Sequence, residues 1–266
     1  MEWSRQERRD LTIARNLLES GGFAGTMGNW FAGVMDKISD RFPQKWREMI
    51  LFSAVLAIEK SWEFTVGMMS GSHEPSESEL THKIRATISG AAGGVAIPTL
   101  LAEIPVTTVI MLRSVADIAR EEGEDFRDIN SGIACLEVFA LGGEKTGEDA
   151  AETGYYRTRD FLQRPVAESS AYIAQKGAIG VGAPFLAQLA AKIAARYQTA
   201  ISARLAAAVV PAAGAICGAA VNIVFIDYFQ KKARGHFIMR RLERKRGLEP
   251  VRQAYQEIGP PDTEAP

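Results

Sequence analysis

"LAAAVVPAAGAICGAAVNIVFI", Leu205 to Ile226, carries no charged residue and lies between Arg204 and Asp227. It is about as long as the roughly twenty residues a helix needs to cross a bilayer. Nine of its residues are strongly apolar and eight are alanine, and on insertion scales the apolar ones contribute roughly −3 to −5 kcal/mol. Pro211, Asn222, Gly214 and Gly218 take back part of that gain, so a transmembrane pass over 205–226 is allowed by length and not demanded by energy. Two other readings stand beside it: the buried half of a tight helix pair in a bundle, and a segment that touches a bilayer conditionally. The helix pair is preferred, because Gly214 and Gly218 lie one turn apart and let a neighbouring helix approach closely.

An earlier stretch echoes this one. Ile97-Pro98 opens an apolar run that leads into a helix bearing Arg113, Asp117 and Arg120, with Gly90 and Gly94 upstream. Val210-Pro211 leads likewise into a helix bearing Asp227, Lys231 and Arg234. Gly90, Gly94, Gly214 and Gly218 are therefore the expected helix-packing positions. The two charged rows share a helix face by their spacing and read as structural ion-pair ladders, or as a grip on a polar head group or partner.

The rest of the chain reads as helix. Ser4 and Glu7 form a capping-box pattern before an amphipathic run that closes at Gly21-Gly22. Pro43 starts a long helix that continues toward Gly71, and Ser76 with Glu79 repeats the capping pattern. A helix begun by Pro105 is expected to stop at Gly123, and "DINSGIACLEVFALGG" is a shorter one. The segment from Gly142 to Gly154 is a loop or lid candidate. Further helices are expected around Tyr156–Lys176 and Pro184–Leu205, and the helix that continues from 205–226 into "RGHFIMRRLERKRG" is expected to break near Gly235. No run alternates with period two, so the fold class is all-α: one large helical bundle of long Ala/Gly-rich apolar helices packed through small-residue faces.

The 266 residues carry a formal net charge of −1, which gives no global reason to expect nucleic acid. Charge is uneven locally. Glu121 to Glu152 holds ten acidic and two basic residues, and Lys231 to Arg246 holds eight basic and one acidic. Arg240, Arg241, Arg244 and Lys245 beside an apolar segment fit an anionic membrane surface. A solvated face, or pairing with the acidic region 121–152, is the preferred reading of the two. Cys135 and Cys217 both lie in apolar helix-like stretches and read as core thiols in a reducing compartment. The charged start "MEWSRQERRDL" is no secretory signal, so the expected location is cytoplasmic, peripheral to the inner face of the cytoplasmic membrane.

No catalytic pattern stands out. There is no Gly-x-Ser-x-Gly elbow and no His-Glu-x-x-His helix. "GAIGVG" (Gly177 to Gly182) follows no strand, and "GGEKTG" lacks the order of a phosphate loop. His73 and His82 match no compact metal spacing. No cofactor and no metal is expected.

Three blocks, "LAEIPVTTVIMLRSVADIAREEGED", "ACLEVFALGG" and "ARGHFIMRRLERKRG", resemble the EcsC family of bacterial proteins over roughly Glu48 to Gly247. The resemblance implies a helical fold and a connection with membrane transport, and brings no catalytic residues. On it, residues 1–42 read as an N-terminal helical arm, 43–247 as an EcsC-like domain and 248–266 as a C-terminal tail. Three functions remain open. One is a non-enzymatic membrane-associated protein that binds lipid or a transport-related membrane protein. Another is an enzyme or small-molecule binder with a pocket of Arg113, Asp117, Asp227 and His236 between the two proline-started helices. The last is a structural homo-oligomer joined through Gly-xxx-Gly faces.

Overall fold

The computed structural model describes residues 2–21, 23, 42–69, 97–142, 154–176, 184–209 and 214–258. Every regular element among them is an α-helix: α1 (Arg5–Glu19), α2 (Gln44–Met69), α3 (Ile97–Glu121), α4 (Ile129–Ala140), α5 (Gly154–Lys176), α6 (Pro184–Val209), α7 (Gly214–Arg246) and α8 (Leu248–Glu257). Helices α2, α3, α6 and the first half of α7 surround one core, into which α4 is inserted with every residue from Ser131 to Ala140 buried. A second, smaller core joins α1, the start of α5, the second half of α7 and α8 through Leu11, Tyr155, Tyr156, Leu242, Val251 and Tyr255. Residues 1–42 thus contribute a helix that packs on α7, and the stretch after Gly247 contributes α8.

Local chemistry sets several helix ends. Ser4 Oγ accepts from the Glu7 amide while Glu7 accepts from the Ser4 amide at 2.9 Å, closing the capping box of α1. Asp128 caps α4 by accepting from the Asn130 amide at 3.0 Å. Gly123 stops α3 with a φ of +80°, and the Glu124 amide donates back to Ala119 O. That left-handed turn favours glycine because it has no Cβ.

The C-terminal carbonyls of four helices are met by cations from other helices. Lys232 Nζ, fully inside the protein, donates to Leu18 O and Ser20 O at 2.7 Å, both at the end of α1. Arg196 Nε donates to Ala140 O at the end of α4, and Arg15 Nη1 to Tyr255 O in α8. Arg244 Nη2 donates to Glu122 O just past α3. Such carbonyls have no intrahelical donor and carry the negative end of the helix dipole, so a cation there satisfies both needs.

Three sequence expectations are corrected here. Pro105 does not begin α3 but lies inside it. α7 runs without a break through Gly235. An added Cβ at Gly235 would lie 2.7 Å from Leu18 Cγ and 3.1 Å from Ala14 O, so the glycine serves close approach of α1 and not a helix break. Finally, Leu205–Ile226 is not a single helix: its first residues end α6 and those from Gly214 onward begin α7. Arg204 Nε donates to Asn222 Oδ1 at 3.0 Å across the two, so the stretch folds back on itself as a hairpin. Among the described residues no helix is long and apolar enough to cross a membrane.

Hydrogen bonds fix the relative directions. α2, α3 and α7 run parallel, as Ser53 meets Leu101, Arg120 meets Met68, Ser114 meets Gln230 and Glu121 meets Arg234. α6 runs against them: Tyr197 Oη lies 3.0 Å from Thr108 Oγ1, while Arg204, later in α6, acts on Glu103, earlier in α3. The bundle therefore has two distinct ends.

Candidate functional site

One end is a lattice of ion pairs. Arg240 grips Glu124 with two bonds, Nε to Oε1 at 2.8 Å and Nη2 to Oε2 at 3.1 Å. Arg244 binds the same carboxylate, and Ser131 Oγ donates to it at 2.8 Å. Burial works to raise the Glu124 pKa, but the Arg240 and Ser131 hydrogen bonds and the Arg244 charge outweigh it and hold it low. Arg241 lies between Asp10 and Glu122, and Lys245 and Arg246 both reach Glu7. The basic stretch is thus neutralised from within the fold. Glu122 and Glu124 belong to the acidic region that sequence offers as a partner. Glu7 and Asp10 come from α1, over a separation in sequence of more than two hundred residues.

Behind this lattice sits His236, with 0% of its surface exposed. Its Nδ1 lies 3.1 Å from Tyr155 Oη, and its Nε2 is 3.6 Å from Glu137 Oε2. Burial depresses the imidazole pKa well below the ordinary value, with Arg240 and Arg159 adding to the effect. Burial likewise raises the Glu137 carboxyl. Both shifts favour the uncharged form, in a setting walled by Tyr155, Arg159 and Glu243. Cys135 is fully buried and its thiol is pushed up by burial, which disfavours a reactive thiolate. Cys217 lies outside the residues whose side chains are described.

The charged rows are placed as follows. Asp117 pairs with Arg120 at 2.7 Å, and Asp227 with Lys231 at 2.8 Å, each within its own helix and largely exposed. Arg234 crosses to Glu121. Arg113 is half-buried on α3. With His236 sealed inside and both aspartates turned outward, the four residues expected to line a pocket do not share one cleft. Among the described residues no group of His, Cys, Asp and Glu is placed to hold a metal ion. His73, His82, "GAIGVG", Lys145 and Thr146, and the packing positions Gly90 and Gly94, lie outside the described residues. Gly214 and Gly218 fall in the first turns of α7, before its described side chains begin.

The other end exposes large apolar side chains among its described residues. It is built from the starts of α2, α3 and α7 and the end of α6. Phe52 is 70% exposed and Ile223 68%, with Leu51 and Val106 also outward. Ser53 binds Leu101, which is nearer the start of α3 than Val106, and Val106 and Ile223 precede Ser114 and Gln230 by similar distances along parallel helices. Beneath them lies Arg204, only 5% exposed. Sequence reasoning missed Phe52, Ile223 and Arg204 as members of a site. Phe52 and Ile223 sit in apolar runs whose outward positions periodicity does not reveal, and Arg204 reads only as the boundary of such a run.

A family model, that of the EcsC protein family, matches residues 15–242. The chain belongs to the EcsC family. The EcsC match begins inside α1 and ends at Leu242, so it takes in the whole of the larger core but only part of the smaller one, while Glu7, Asp10, Leu11, Arg244 and α8 fall outside it. No curated protein and no solved structure matches the chain.

Proposed function

We propose that this EcsC-family protein is a non-enzymatic, membrane-associated helical protein that seats the apolar end of its bundle on a lipid surface. The observation that carries this reading is the exposure of Phe52 and Ile223, 70% and 68%, at the same end of parallel helices. Burying a Phe or Ile side chain is worth about 1.5–3 kcal/mol, enough for two or three such residues to give reversible attachment. Lys45 and Arg47 are exposed one to two turns before Leu51 and Phe52, with half-buried Trp46 between them. Exposed cations near exposed apolar side chains suit an anionic lipid surface such as the inner face of a cytoplasmic membrane. The cations of the opposite end do not support the reading, since their charges are already met by Glu7, Asp10, Glu122 and Glu124.

Co-sedimentation with phosphatidylglycerol-containing vesicles tests this. The full chain sediments with the vesicles. Combined Phe52→Glu and Ile223→Glu leaves it in the supernatant, and combined Arg244→Gln and Lys245→Gln does not. A wild-type chain that stays in the supernatant at low salt overturns the reading, and so does a doubly Glu-substituted chain that still sediments. Attachment to native membranes without attachment to protein-free vesicles replaces lipid by a membrane protein, such as a transport component, as the partner.

A further inference from the structure

Packing within the apolar end does not explain Arg204. Its side chain is buried, its Nε donates to Asn222 Oδ1, and its guanidinium lies 5.2 Å from the centre of the Phe225 ring. Among the described residues no carboxylate forms an ion pair with it. Glu103 on α3 senses its charge through space but is not in contact, and burial drives the Glu103 carboxyl toward its neutral form. A guanidinium taken out of water without a matching anion is costly, and proteins seldom keep one without a use.

Its location indicates what the anion is. Asn222 adjoins exposed Ile223, and Glu103 lies one turn before exposed Val106. The cation therefore sits next to the exposed apolar residues of α3 and α7. A planar guanidinium matches the oxygens of a phosphate with two parallel N–H donors, and the Asn222 amide NH2 is a further donor beside it.

We infer that Arg204 holds the phosphate of a phospholipid headgroup, with Asn222 orienting the guanidinium and the acyl chains lying along Val106 and Ile223. This rests on the membrane-docking reading and names its ligand. The chemistry is that of a phosphate mono- or diester, which a free phosphate shares.

The test uses the purified full chain with three soluble probes: dihexanoyl phosphatidic acid, dihexanoyl glycerol and inorganic phosphate. Wild type binds the phosphatidic acid at least tenfold more tightly than the uncharged glyceride. Arg204→Met abolishes that discrimination while circular dichroism shows an unchanged helical content, and Arg204→Lys, which keeps the charge but loses the fork, weakens phosphatidic acid binding at least threefold. Equal binding of the uncharged glyceride overturns the inference, as does discrimination that survives in Arg204→Met. Inorganic phosphate binding as tightly as the lipid overturns its lipid part. Vesicle sedimentation separates the two readings: Arg204→Met still sediments if docking through Phe52 and Ile223 holds and only the headgroup site is lost. Arg204-dependent binding of the soluble phosphatidic acid by a chain that never sediments refutes docking and leaves the phosphate site standing.

Discussion

Ser53 Oγ on α2 donates to the carbonyl oxygen of Leu101 on α3 at 3.2 Å, and Leu101 lies four residues before Pro105. A proline has no N–H, so the carbonyl four residues earlier loses its intrahelical donor. The same arrangement recurs in α5, where Pro165 deprives Phe161 and Lys192 Nζ from α6 donates to Phe161 O at 3.4 Å. Each internal proline is accommodated by a side chain from a neighbouring helix, so a residue that ends helices locally becomes a point of attachment between them.

Removing the hydroxyl leaves a buried carbonyl unpaired. Ser53→Ala costs about 1–2 kcal/mol of stability by urea denaturation. In a Pro105→Ala background, where the restored amide can serve Leu101, the same substitution costs about 1 kcal/mol less. Equal costs in the two backgrounds would break the link between proline and serine.

Gly235 is a matter of space. An added methyl presses on the Ala14 carbonyl and the Leu18 side chain, and overpacking of this kind costs about 1–3 kcal/mol. A gain of up to about 1 kcal/mol in helix propensity opposes it. Gly235→Ala is expected to be net destabilising, by lowering the denaturation midpoint. A rise in midpoint would show that α1 does not pack tightly on α7.

The ion-paired end separates buried from exposed charge. The Glu124 side chain is 3% exposed and serves Arg240 and Arg244, while Lys245 is 65% exposed. Glu124→Gln leaves a guanidinium without its anion inside the protein, at a cost of about 3 kcal/mol. Lys245→Gln costs less than about 1 kcal/mol, a loss that shrinks further in high salt. Similar losses for both variants would contradict the burial of Glu124.

His236 and Glu137 tie stability to pH with opposite signs. The folded His236 pKa lies below its unfolded value near 6.5, so the unfolded chain binds the extra proton and stability falls as pH drops below about 6.5. Glu137 is shifted upward, so its contribution is complete below its unfolded value near 4.5 and is lost as pH rises toward the folded pKa. Each unshared proton is worth about 1.4 kcal/mol per pH unit. Melting temperatures of His236→Gln between pH 5 and 7 should show a flatter acid limb than wild type. An unchanged slope would place the acid sensitivity elsewhere.

Much of the fold was legible in sequence, because helix ends depend on contacts three to five residues apart. Ser4 with Glu7, Asp128 and Gly123 could be read as caps without knowledge of anything else in the chain. α8 was not anticipated, although Val251 and Tyr255 stand one turn apart, because its short apolar stripe means little until α1 and α5 cover it. The candidate site was less legible still. Which residue of an apolar run faces outward depends on the helices beside it, so Phe52 looks no different in sequence from the buried Ile50 and Ala54 that flank it.

Sequence by itself determined the helical class, most helix boundaries and membership of the EcsC family, since these rest on local hydrogen bonding and on the order of residues along the chain. Only the tertiary structure decided that Leu205–Ile226 folds back as a hairpin, that α3 continues through Pro105, and that Arg246 is answered by Glu7, 239 residues away. Each of those outcomes needs a donor, acceptor or counter-charge supplied by another helix, and only the folded chain brings it within reach.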